Sequence, residues 1–136
     1  MNIPILKPEQ YNILWSSSWL SLYSSIEALL ENQYDLALCS GSVFLSSINY
    51  WKYPINNWRK TLDMMVVKIC LFYQLYKSFM VKDTKYVGFV TTSISSYYIG
   101  SYFFDKEDYW TYTYFHFGLH LIANMGNISL LRKTIK

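Results

Sequence analysis

Hydrophobic and polar positions alternate along this chain in long blocks. Apolar and aromatic residues dominate 11–30, 36–51, 58–80, 86–104 and 109–131, and charges gather into short clusters between these runs. Most of the runs are close to the length that crosses about 30 Å of hydrocarbon as a helix. A soluble amphipathic helix carries a charged face that recurs through its length, and these runs lack one. The pattern predicts an all-α polytopic membrane helix bundle of about five transmembrane spans, forming one unit over residues 1–136 behind a short polar lead. Turns are expected near 31–35, 82–85 and 105–108, with Asp35 as a candidate helix cap.

The stretch 46–63 joins the second and third runs and organises the rest. It holds Tyr50, Trp51, Tyr53 and Trp58 with Lys52, Arg59 and Lys60. Such aromatic and cationic side chains favour the headgroup zone of a bilayer, and Pro54 tends to stop a helix. A hairpin at the water boundary is expected here.

Small residues recur at helical spacing on several runs. Ser17, Ser21 and Ser25 lie four apart, as do Ala37 and Gly41, and Gly88, Thr92, Ser96 and Gly100. Ridges of this kind let helices approach closely within a membrane. On the last run Thr113, His116, His120, Asn124 and Asn127 share one face, which should turn inward because lipid offers no hydrogen bonds. Lys68, near the middle of the third run, needs a partner; Glu27 of the first run is the expected one.

Composition narrows the picture. Charged residues are 15% and aromatics 20%, while the mean hydropathy of +0.08 decides little. The net charge of +3 comes without a basic stripe, so nucleic acid is not expected as a partner. Cys39 and Cys70 fall inside apolar runs, far from any second thiol or imidazole in sequence, and read as small buried hydrophobes. Residues with AT-rich codons (Phe, Tyr, Met, Ile, Asn, Lys) number 57, against 13 for Gly, Ala, Arg and Pro, which points to an AT-rich genome: a large DNA virus, an organelle or an AT-rich parasite. A selectivity loop, a periodic arginine helix, histidine boxes of the desaturase kind and a buried lysine in the last run are all missing from the sequence.

Span parity brings chemistry to one depth. Ser46, Ser47, Asp63, His116 and His120 all fall in the same third of the bilayer at about 1.5 Å of rise per residue. The succession Ser-x-x-Tyr, then Leu-Asp, then His-x-x-x-His resembles the alkaline-ceramidase-like hydrolase superfamily, which includes the adiponectin-type receptors. That resemblance implies zinc held by histidines, with a serine and an aspartate beside the metal-bound water. The candidate catalytic positions are then Ser47, Asp63, His116 and His120, and the candidate metal ligands Asp63, His116 and His120. The family has a third histidine where this chain has Trp51, and seven spans against five. The block Ser-Ile-Asn-Tyr-Trp-x-x-Pro…Trp-Arg-x-x-Leu-Asp, over 46–63, also resembles small membrane proteins of large double-stranded DNA viruses. The expected role is therefore structural: an integral membrane assembly protein in a virion inner membrane or organelle membrane, packing against lipid, other membrane proteins or further copies of itself. No catalysis and no cofactor are expected. A degenerate, zinc-dependent intramembrane hydrolase is the alternative, with Asp63, His116 and His120 converging in either case.

Overall fold

A computed structural model describes residues 3–136; the first two residues of the lead lie outside it. The described chain is all-helical, with α1 Pro8–Leu30, α2 Tyr34–Trp51, α3 Trp58–Val81, α4 Thr84–Asp105 and α5 Tyr109–Thr134. Each apolar run of the sequence lies inside one helix. Pro8 opens α1 at a position where its missing N–H costs nothing.

Three of the four connections are one device used three times. Asn32, Lys82 and Glu107 adopt left-handed φ values of 57°, 59° and 60°. The residue after each then donates its N–H five residues back, Gln33 to Ala28, Asp83 to Ser78 and Asp108 to Phe103, at 2.8–2.9 Å. This closes each helix in the Schellman manner and reverses the chain at once. Asp83 and Asp108 cap the following helices through their carboxylates. Asp35 does not act as a cap. Helix α2 begins one residue earlier, and the Asp35 carboxylate instead takes hydrogen bonds from Tyr73 and Lys77 of α3.

The fourth connection is the hinge, and it is built differently. Arg59 folds back to donate to the carbonyls of Asn49 at 3.1 Å and Tyr53 at 3.0 Å, closing the end of α2, while the Asn57 side chain caps α3. Tyr53 and Trp58 are exposed as the sequence suggests, but Tyr50 and Trp51 are buried. They lie one turn beyond Ser46 and Ser47 and share their inward face. The lead is not a loose polar segment either. Ile5 donates its N–H to the Pro54 carbonyl at 2.9 Å, and Leu6 packs with Leu14, Tyr50 and Trp51.

Neighbouring helices pack in sequence order, and α1 also lies along α5. Helices α1 and α4 flank α5 without touching each other. Helix α3 rests mainly on α2, reaching α4 and α5 through its second half, where Leu71, Leu75 and Val81 meet the core and Gln74 accepts from the Tyr86 hydroxyl at 2.9 Å. Apolar clusters close the two ends of the bundle. Leu6, Leu14, Tyr50 and Trp51 form the hinge end, and Ala28, Leu36, Tyr86 and Leu130 anchor the other.

The small-residue ridge of α4 is used only in part. Ser96 and Gly100 face α5, where a Cβ on Gly100 would come 3.3 Å from that of Phe115. Gly88 and Thr92 are exposed. A strict four-residue repeat advances about 40° per step on a helix of 3.6 residues per turn, so three steps turn the ridge by about 120°. The stripe that packs is Tyr86, Val90, Ser93 and Gly100.

Candidate functional site

Between the apolar ends runs a belt of buried polar side chains. Its first node joins α2 to α3. Ser46 and Ser47 both donate to Oδ1 of Asp63 at 2.9 Å, so adjacent hydroxyls of one helix hold a single carboxylate of the next. Its second node joins α1 to α5. Ser17 Oγ stands 2.5 Å from His120 Nδ1. Asn124 accepts from Ser24 at 2.8 Å and from Asn127 at 3.1 Å through Oδ1, while its amide reaches the His120 carbonyl at 2.7 Å. The polar stripe of α5 does turn inward, towards α1.

His116 stands between the nodes. Its ring meets Trp51 edge-on at 4.9 Å and His120 at 4.9 Å. Trp51 is 2% exposed, and its indole N–H finds no acceptor among the described residues. An indole has no lone pair for a metal, so Trp51 offers no ligand beside His116.

The expected convergence is thus divided. His116 and His120 are in contact, but Asp63 belongs to the neighbouring seam with Ser46 and Ser47. Among the described residues no three His, Cys, Asp or Glu side chains form a group that could hold a metal. Span parity does not give the seam a residue enters.

Ser17 and His120 have the separation of a nucleophile and its base. Ser17 Oγ also lies 3.1 Å from the Leu14 carbonyl of its own helix. A serine hydroxyl has one proton: pointed at Leu14 it leaves the ring Nδ1–H to donate to Ser17, and pointed at Nδ1 it donates to the other tautomer of the ring. In either arrangement the pair ties α1 to α5. The sequence shows Ser17 and Ser21 four apart on α1 and His120 and Asn124 four apart on α5, a spacing compatible with this seam, but it does not pair the two helices.

Two further contacts replace expected ones. Lys68 is exposed with no ion pair among the described residues, and α1, which carries Glu27, does not reach α3. The ion pair present is Lys77 with Asp35. Burial disfavours the Asp35 carboxylate, but hydrogen bonds from Lys77, Tyr73 and the Leu36 N–H outweigh it and hold the group below its usual range. Cys39 and Cys70 are free thiols, half-buried, with Cys70 Sγ 3.6 Å from the Cys39 carbonyl. No family model, no curated protein and no solved structure matches this chain.

Proposed function

We propose that this chain is a multi-pass membrane protein whose role is structural, packing through α3 against a partner in the same bilayer. The observation that carries the reading is an inverted distribution of polarity. Among the described residues the interior holds twelve hydrophobic and fifteen polar or charged residues, while thirty-one large hydrophobics are exposed. Soluble monomers rarely expose contiguous apolar patches beyond a few hundred Å², and lipid reverses that constraint. Helix α3 is the extreme case. Among the described residues it is the one helix long and apolar enough to cross a membrane by composition, and only 17% of its apolar window is buried.

Lys68 favours a protein partner on that face over lipid alone. It is the eleventh residue of a 24-residue helix, so at 1.5 Å per residue it lies about 15 Å from the helix start, near mid-bilayer. An ammonium at that depth costs about 2.5–3.5 kcal/mol on insertion scales unless it is paired. A carboxylate on a neighbouring membrane protein, or on another copy of this chain, would meet it. The polar belt then fixes helix register rather than performing chemistry. Resemblance to small viral membrane proteins makes a virion inner membrane the natural setting.

Alkaline carbonate extraction tests the membrane half of this reading, and release into the soluble fraction would overturn it. Lys68→Leu tests the partner half. The variant should keep its thermal stability in detergent yet leave the larger assembly on gentle solubilisation; unchanged assembly size would remove Lys68 from the contact.

A further inference from the structure

The gap between α1 and α4 is a furrow floored by α5, with a volume of about 720 Å³. Its polar end carries Lys82, Lys85, Arg132, Lys133 and Lys136, against the single carboxylate of Asp83. That carboxylate is already engaged by the Ser129 hydroxyl at 3.1 Å and the Tyr86 N–H at 3.3 Å. Its other end is walled by Leu20, Tyr23, Phe89, Leu121, Met125 and Ile128. A second apolar groove of about 540 Å³, between α1 and α5, shares Leu20 and Leu121 and continues the furrow towards the hinge end.

We propose that this furrow binds an anionic phospholipid, its phosphate among the cations at the end of α5 and an acyl chain along Ile128, Met125 and Leu121. This rests on the membrane reading above, which makes the furrow a lipid-facing surface. Three features of the furrow fix the class of ligand. The cations stand together at one end only, so the site is polarised like a phospholipid rather than uniformly charged like a nucleic-acid groove. From Leu121 to Lys133 is twelve residues, about 18 Å along the helix axis, comparable to one leaflet of hydrocarbon at about 15 Å plus the start of the headgroup zone. The cations come from two helices, Lys82 and Lys85 at the α3–α4 turn and Arg132, Lys133 and Lys136 at the end of α5, so they can converge on one phosphate without ordering a long loop. A soluble anion would use only the basic end, and an apolar helix only the walls. A phospholipid uses both.

The test uses the full chain in a neutral maltoside micelle, titrated with dioleoyl phosphatidylglycerol, with dioleoyl phosphatidylcholine or with inorganic phosphate. Thermal unfolding and native mass spectrometry are the readouts. Phosphatidylglycerol should raise Tm by at least about 3 °C near saturation and remain bound in the gas phase, with phosphatidylcholine and phosphate doing neither. Replacing Arg132→Gln and Lys133→Gln together should weaken apparent phosphatidylglycerol affinity at least tenfold. Lys52→Gln with Lys60→Gln removes the same charge at the hinge end and should change it less than twofold. Should the α5 pair prevent folding, Lys85→Gln on the α4 wall serves in its place, with a smaller loss in the same direction. Equal effects of the two phospholipids, an equal effect of free phosphate, or an equal loss in the hinge variant would each overturn the site. The two readings fail separately. A chain that stays monodisperse without detergent sinks membrane integration, whereas binding of a short-chain phosphatidylglycerol to that soluble chain would still support the furrow.

Discussion

Helices α3 and α5 are of similar length, 24 and 26 residues, but enter the bundle to very different extents. Helix α5 buries Thr113, Asn124, Gly126, Leu130 and Leu131, with Asn124 held by α1 and Gly126 set against Phe89 of α4. Helix α3 buries only Gln74 and Ser78 and leaves Ile69, Phe72, Phe79 and Met80 outside. In water the apolar helix would be the one to bury. Hydrogen bonds and close backbone approach join the helices between two apolar ends, while most of the apolar area of α3 faces outward, where the proposed reading places lipid and a partner.

Four measurements test that contrast. The largest effect is expected from Ile69→Lys, on the outer face of α3. A charge near the helix centre should cost about 3 kcal/mol of membrane insertion, read in a glycosylation-reporter assay. On a soluble surface the same change would be nearly silent, so unimpaired insertion or improved solubility would break the contrast at its apolar end.

Next comes the seam between α4 and α5. Gly100→Leu should destabilise by about 2–3 kcal/mol, because the side chain must displace Phe115 and Tyr112. Gly88→Leu, where a Cβ meets nothing within 4 Å, should be close to neutral. Equal unfolding midpoints in detergent for the two variants would place Gly100 on an open face as well.

Asn124→Leu probes the polar end of the contrast. It leaves Ser24 and Asn127 without the oxygen they donate to, and about 1–2 kcal/mol should be lost despite the gain in hydrophobicity. A stabilised variant would show that the α1–α5 seam prefers apolar packing.

The smallest effect concerns the tie from α3 to the bundle at Asp35. Its carboxyl is held below the usual range in the folded state. The contribution is therefore fully present above the unfolded value near 3.9 and is lost as pH falls through the lower folded value. The group is more than one-third exposed, so Asp35→Asn should cost roughly 0.2–1 kcal/mol at neutral pH. That difference should shrink below about pH 4; a difference that persists there would assign the effect to packing instead of charge.

Much of this architecture could be read from the chain because the charges punctuate it. Each polar cluster marks a reversal, and helix extents follow from where those clusters stand. What the sequence withholds is azimuth. Asp63 enters the α2–α3 seam and His120 the α1–α5 seam, and no spacing rule within a single helix distinguishes them. Aromatics are ambiguous for a related reason. Trp51 and Trp58 are seven residues apart and chemically alike, but one is 2% and the other 65% exposed, because the chain leaves the helix between them. The basic furrow was hidden because its cations come from two distant segments, neither of which is a stripe alone.

The bond from Ile5 to Pro54 carries a consequence for the order in which the protein is made. It closes a ring around α1 and α2, and with the Ser25 hydroxyl on the Ala37 carbonyl at 2.8 Å it ties residues 5–54 into one hairpin. During synthesis that hairpin can form while most of the chain is still absent. Its outer face carries Ser17 and Ser24, whose partners His120 and Asn124 are translated about a hundred residues later. Ser17 is supplied in the meantime by the carbonyl of Leu14 on its own helix, a local contact that survives in the finished bundle. Helix α5 therefore finds a surface already formed when it emerges.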